Sequence, residues 1–117
     1  MRYVLLIYGE EQTAPPSQEE IDASMKEWWE FDGAIKASGV NVASDALQNS
    51  QTATTVRVKN GERVVTDGPF AETREVLGGF YLIDVPDLDT ALDWAARCPG
   101  AKYGSMEVRP IQEFETP

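Results

Sequence analysis

Histidine is absent from the 117 residues, and cysteine occurs once, at Cys98. The first absence removes Ser-His-Asp and Cys-His catalytic sets, His-ligated zinc or iron, and any general base whose unperturbed pKa lies near neutrality. The second removes an internal disulfide and a thiolate metal cluster. Cys98 closes an apolar helical run (Ala91, Leu92, Trp94, Ala95), where a buried and inert thiol is the expected state. Acid-base chemistry therefore falls to Asp, Glu, Tyr, Lys or a group carried by a substrate.

Positive charge is scarce too, with 10 Lys and Arg against 20 Asp and Glu, a formal charge of −10. Binding a phosphate backbone needs a clustered surplus of basic residues, so nucleic acid is not an expected partner. No apolar run approaches the ~18 residues of a membrane helix. Met1 to Tyr8 is apolar for only a few residues before Gly9, Glu10 and Glu11, whereas a signal peptide needs a basic start, a longer apolar region and a small-residue cleavage site, so it reads as a first strand. A cytoplasmic protein without membrane attachment is the expectation. The acidic stretch Asp84, Asp87 and Asp89 matches no calcium-loop spacing, and acids at a helix start are ordinary capping. Neither a metal nor a cofactor is expected.

What the chain does have is enough apolar character, 42% of residues, to fold one domain over residues 1–117 and too little length for a second core. Tyr3 to Tyr8 is a continuous apolar strand of the kind buried on both faces and placed centrally in a sheet. Ser17-Gln18-Glu19-Glu20 has capping-box spacing and opens a helix. Its core stripe is Ile21, Met25, Trp28 and Ile35, with Phe31 on the flank and Ser38-Gly39 as the stop. Asp32 points into that stripe. It is either a functional acid with a raised pKa or a group reaching the sheet rim for a donor.

Val40 to Leu47 reads as an edge strand. Ala53 to Lys59 and Glu62 to Thr66 flank Asn60-Gly61, the dipeptide preferred by a two-residue type I′ turn, and form a hairpin. Asp67-Gly68-Pro69-Phe70 follows as a tight turn in which the Asp67 side chain can bond backbone N–H groups. Gly78-Gly79 is expected to turn the backbone sharply into the strand Phe80 to Val85. Asp87 caps a second helix with an apolar stripe of Leu88, Ala91, Leu92 and Ala95, ended by Pro99-Gly100. Ser105 to Phe114 is the last strand.

The order is an α+β plan, a ferredoxin-like β-α-β-β-α-β core with an inserted β-hairpin. Helices cover one face of such a sheet, yet Tyr3 to Tyr8 and Phe80 to Val85 are apolar on both. A second copy, sheet against sheet, is the economical cover and predicts a homodimer.

The segment Asp67-Gly68-Pro69-Phe70-Ala71-Glu72-Thr73-Arg74-Glu75 resembles the signature of DGPF-domain proteins, a branch of the YCII-related family. The resemblance continues through Tyr3-Val4-Leu5-Leu6-Ile7-Tyr8-Gly9, Thr54-Thr55-Val56-Arg57-Val58, Leu77-Gly78-Gly79-Phe80-Tyr81-Leu82-Ile83, Ala91-Leu92-Asp93-Trp94-Ala95 and Tyr103-Gly104-Ser105-Met106-Glu107-Val108-Arg109-Pro110. It implies the dimeric α/β-barrel type of the fold. It implies little about activity, since the His-Asp pair proposed for some relatives has no histidine here to carry it. Frequent encoding beside extracytoplasmic-function sigma factors makes such a factor an implied partner.

Asp67 as a general base and Arg74 as a bidentate anion clamp are the candidate catalytic residues. Tyr8, Arg57, Phe70, Glu72, Thr73 and Tyr103 are the candidate ligand contacts, with Trp28 and Trp29 as apolar walls. The same residues have structural readings: Asp67 as a turn cap, Phe70 as a plug, and Glu72 with Arg74 as a pair across a two-fold axis. The expected function is small-molecule binding beside Asp67 to Glu75, with or without catalysis. A regulatory partner of a sigma factor, docked through its negative charge, is the alternative.

Overall fold

The computed structural model describes residues 1–12 and 14–115. Strand β1 (Arg2–Gly9) lies between β5 (Val76–Asp84) and β6 (Ser105–Pro110), and β2 (Asn41–Ala46) pairs the far side of β5. All three pairings are antiparallel. The spatial order β2-β5-β1-β6 follows the ferredoxin-like plan, with β3 (Thr54–Lys59) and β4 (Glu62–Asp67) set apart as a separate two-stranded ribbon. The two strands that are apolar on both faces are the two central ones, and the weakly alternating β2 is an edge.

Strand periodicity divides the central sheet into two faces. Tyr3 and Leu5 of β1 and Tyr81 and Ile83 of β5 are buried beneath the helices, where they join Phe31 and Ile35 of α1 (Gln18–Ala37) and Ala91, Ala95 and Cys98 of and beside α2 (Leu88–Arg97). The opposite face carries Val4, Leu6, Phe80 and Leu82, which stay only half-buried. The molecule is 19 Å thick in its thinnest direction, one sheet and one helix layer, and among the described residues no helix packs on that second face.

The helix starts are fixed locally. Ser17 Oγ accepts the Glu20 N–H at 3.1 Å, and Asp87 Oδ1 accepts the Thr90 N–H at 2.8 Å, each satisfying a donor left free at a helix N-terminus. Proline serves both ends of a break: α2 stops before Cys98, and Pro99 opens the short α3 (Pro99–Tyr103) because its missing N–H costs nothing in a first turn. The hairpin turn has Asn60 at φ 52° and Gly61 at φ 78°, the paired left-handed conformation of a type I′ turn.

Four local expectations need correction. Gly78 and Gly79 are inside β5, which begins at Val76. Gly78 is the extra residue where the register slips from Ile7 opposite Gly79 to Tyr8 opposite Leu77. Gly79 permits a close approach, since a Cβ there would lie 2.9 Å from the Asp45 carbonyl oxygen. The Asp67 turn is instead held by backbone and by a threonine: Gly68 (φ 93°) donates to Ala53 O at 2.7 Å, and Thr55 Oγ1 donates to Gly68 O at 2.8 Å. In α2 only Ala91 and Ala95 are buried, so the helix meets the core through its small residues, while Leu88 and Leu92 are exposed. Strand β6 ends at Pro110 rather than running on to Phe114. Of the two readings of Asp32, the structure agrees with the group that reaches for a donor, since it accepts the Tyr81 hydroxyl.

Candidate functional site

The N-terminal half of α1 overhangs the β2 side of the sheet without closing on it. Phe31 and Ile35, in the second half, are buried, whereas Met25 and Trp29 remain exposed and Trp28 half-buried. Between this overhang and the sheet lies a cleft of about 1550 Å³. Its size exceeds the ~300–1,000 Å³ of a typical enclosed ligand site because it is open along one side. Met25, Trp28 and Trp29 form the helix wall. Ile7, Gly79 and Tyr81 form the floor, the loop after β1 forms one end, and Tyr103 with Gly104 stands beside it.

Glycine keeps that end open. A Cβ at Gly100 would meet Ile7 Cγ2 and Met106 Sδ at 2.9 Å, and one at Gly104 would run into the Tyr8 carbonyl oxygen. Both positions let α3 press onto the end of β1, which delivers Tyr103 to the cleft mouth. The Tyr103 hydroxyl donates to Glu27 Oε1 at 2.9 Å, and Lys102 Nζ reaches the same oxygen at 3.4 Å.

Three residues form a polar cluster where α1 meets the floor. Tyr81, buried on β5, donates its hydroxyl to Asp32 Oδ1 at 2.9 Å, and Lys36 Nζ holds Asp32 Oδ2 at 2.9 Å, one turn further along α1. The Lys36 contact, followed by the Tyr81 hydrogen bond, outweighs desolvation and keeps the Asp32 carboxyl below its usual range. Burial, reinforced by the adjacent carboxylate, pushes the Tyr81 hydroxyl above its usual value. At neutral pH the site therefore presents an ionised carboxylate, an ammonium group and a protonated phenol. Phe31 packs edge-on against Tyr81 with ring centroids 5.3 Å apart, fixing the phenol from behind.

The mouth is tied by carboxylates of the loop after β1. Glu11 accepts the Ser50 N–H at 2.7 Å and also the Ser50 hydroxyl, which lowers its pKa and joins this loop to the short 3-10 turn Ser50–Thr52. Glu10 pairs with Arg74, and Glu75 accepts the Ser105 hydroxyl at 2.8 Å. Residues 74 and 75 thus strap the ends of β1 and β6 next to the cleft.

The candidate residues fall in three places. Tyr8 and Tyr103 line the cleft. Arg74 lies outside it, 88% exposed, and reaches its edge through Glu10. Asp67 ends the outlying ribbon, Arg57 is exposed within it opposite Val64, and Phe70, Glu72 and Thr73 are exposed in the following segment, where Thr73 Oγ1 donates to Glu75 O at 2.6 Å. Asp67 and Arg74 share no contact. Sequence reasoning passed over Tyr81 and Lys36 as partners of Asp32. The signal available was Asp32 itself, since a carboxylate on an apolar stripe must find a donor, but that donor lies 49 residues away.

Among the described residues no group of three or more His, Cys, Asp or Glu is arranged to hold a metal ion, and no helix is long and apolar enough to cross a membrane.

The family model of the YCII-related domain matches residues 1–115. An uncharacterised protein of Rhizobium meliloti (strain 1021) is 40% identical over 118 residues, which covers 98% of this chain and 95% of that protein.

Proposed function

The chain belongs to the YCII-related family, and from that premise we propose that it binds a small organic molecule in the α1–sheet cleft and works as a homodimer of the α/β-barrel type. The carrying observation is the cleft itself, whose lining brings Trp28 and Trp29 of α1 together with the neighbouring Asp32–Lys36–Tyr81 group. Such a surface suits a flat apolar or aromatic compound bearing one polar substituent, the rings stacking on Trp28 and Trp29 and the substituent meeting the floor. The Asp67 to Glu75 segment belongs to this reading as the strap at the mouth, acting through Arg74 and Glu75. The half-buried face of Val4, Leu6, Phe80 and Leu82 supports the dimer, because a second copy is the simplest cover for an apolar sheet face.

A thermal-shift screen of small aromatic compounds tests the site. At tenfold excess over Kd a true ligand stabilises the fold by about 1.4 kcal/mol. Its binding should quench tryptophan fluorescence and be lost in Trp29→Ala, whose exposed side chain contributes little to the core. Compounds that bind Trp29→Ala and Tyr81→Phe as tightly as the wild type would place the ligand elsewhere and refute the cleft. The second reading, a regulatory partner of an extracytoplasmic-function sigma factor, has the −10 charge behind it. It requires a salt-sensitive complex with such a factor.

A further inference from the structure

The charges around the cleft bear on the sign its ligand can carry. Glu10, Glu11, Glu20 and Asp32 line it, and among the described residues Lys36 is the one cationic side chain that does so. Asp45 borders it as well but shares the opposite sheet face with Phe80 by register. Four carboxylates to one ammonium is a steeper acidic excess than the 20 to 10 of the whole chain. Two of the four are neutralised in place, Asp32 by Lys36 at 2.9 Å and Glu10 by Arg74, which reaches in from outside. The charges of Glu11 and Glu20 are not. Glu11 takes its hydrogen bonds from Ser50, a neutral residue that holds the carboxyl below its usual range and so keeps it ionised. Glu20 has no ion-pair partner among the described residues. A concave, partly apolar wall focuses the field of such charges into the space it encloses.

The aromatic rings point to the same sign. Trp94 and Tyr103 each hold a cation of their own chain, with Arg97 4.3 Å and Lys102 5.0 Å from the ring centroid. Trp28 and Trp29, which line the cleft, hold none among the described residues, and Trp29 is 68% exposed. Tryptophan has the ring face that attracts a cation most strongly.

We propose that the ligand of this cleft is an organic cation, a flat body bearing a positively charged nitrogen, seated against Trp28 and Trp29 in the field of Glu11 and Glu20. This rests on the cleft-binding reading above and names the ligand class. The tryptophan faces attract the cation and stack its apolar part, and the carboxylates supply the long-range attraction. An anion of the same shape is repelled by those carboxylates, and the one ammonium it could reach, Lys36, is already engaged by Asp32. A neutral analogue keeps the ring contact and loses the attraction of charge.

Isothermal titration of the full chain at neutral pH with three naphthalene probes of one shape tests the sign: protonated 1-naphthylmethylamine, neutral 1-naphthalenemethanol and anionic 1-naphthoate. The ammonium should bind roughly tenfold more tightly than the carboxylate, with the alcohol between them, and the margin should narrow as salt is raised. Glu20→Gln, at an exposed position, should weaken the ammonium roughly threefold and leave the alcohol unchanged. Trp29→Ala should weaken all three. An alcohol or carboxylate that binds as tightly as the ammonium and is lost in Trp29→Ala, or an ammonium that binds Glu20→Gln and the wild type alike, overturns the cation and leaves the cleft standing. Probes that bind Trp29→Ala as tightly as the wild type, or that do not bind at all, remove the cleft reading and this inference together.

Discussion

Replacing Tyr81 by Phe and Asp32 by Ala, singly and together, isolates the polar contact between α1 and the centre of the sheet. Tyr81 is only 6% exposed, and its hydroxyl reaches Asp32 at 2.9 Å. Tyr81→Phe keeps the ring against Phe31 and loses one hydrogen bond to a charged acceptor, about 1.5 kcal/mol. Asp32→Ala instead strands a buried phenol hydroxyl, which costs about 1–3 kcal/mol. It also releases Lys36, but that pair is substantially exposed (55% and 35%) and adds at most about 0.5 kcal/mol. Asp32→Ala should therefore be the more damaging single change. Adding Tyr81→Phe to it removes the stranded hydroxyl, so the double variant should lose about 1–2 kcal/mol less than the two singles combined. Urea unfolding followed by tryptophan fluorescence, at one protein concentration throughout, reads all four proteins. The same series predicts a pH signature. The folded-state pKa of Asp32 is lowered from 3.8, so its contribution is complete above that value and is lost as pH falls through the folded-state pKa. Asp32→Ala should lack that acid-side loss. Additive single losses, equal to the double within about 0.5 kcal/mol, would refute the coupling between the two residues.

Two further outcomes follow from packing. Burial pushes the Cys98 thiol up to about 11 from 9.0, so an aromatic disulfide reagent at pH 8 should leave the native protein untouched and titrate one thiol after unfolding; above pH 9 the unfolded thiolate forms first, and stability should decline with rising pH. Gly104→Ala forces a Cβ onto the Tyr8 carbonyl and within 3.0 Å of Gly9 Cα; because both are backbone atoms that cannot rotate away, a loss of about 2–3 kcal/mol is expected by urea unfolding, and a loss below about 0.5 kcal/mol would refute the close approach of α3 to β1.

Much of the fold is local and therefore written in the sequence. Ser17 and Asp87 cap the helices because each side chain reaches a backbone donor three residues on. Asn60-Gly61 sets the hairpin because few other residues take two consecutive positive φ angles. The continuous apolar runs of β1 and β5 announced central strands, since only a strand flanked on both sides needs no polar edge. Gly79 was misplaced for the opposite reason. A glycine signals freedom or closeness with equal force, and only the Asp45 carbonyl packed against it selects closeness.

The candidate site shows the same division. The Asp67 to Glu75 motif identified the family, but side-chain types along a segment carry no information about which way the chain turns. The tertiary structure carries Asp67 out on the ribbon and leaves Arg74 as a tie to Glu10. Asp32 stood out in the sequence as a carboxylate on an apolar stripe, while Tyr81 looked like one more aromatic in a core strand. Their meeting depends on how far α1 lies along β5, a quantity set by the packing of Phe31 and Ile35 and by no local preference. Composition alone excluded histidine chemistry and internal disulfides, because an absent residue is absent in every conformation. Where the cleft opens, and which groups face it, was decided only by the placement of a helix over a sheet.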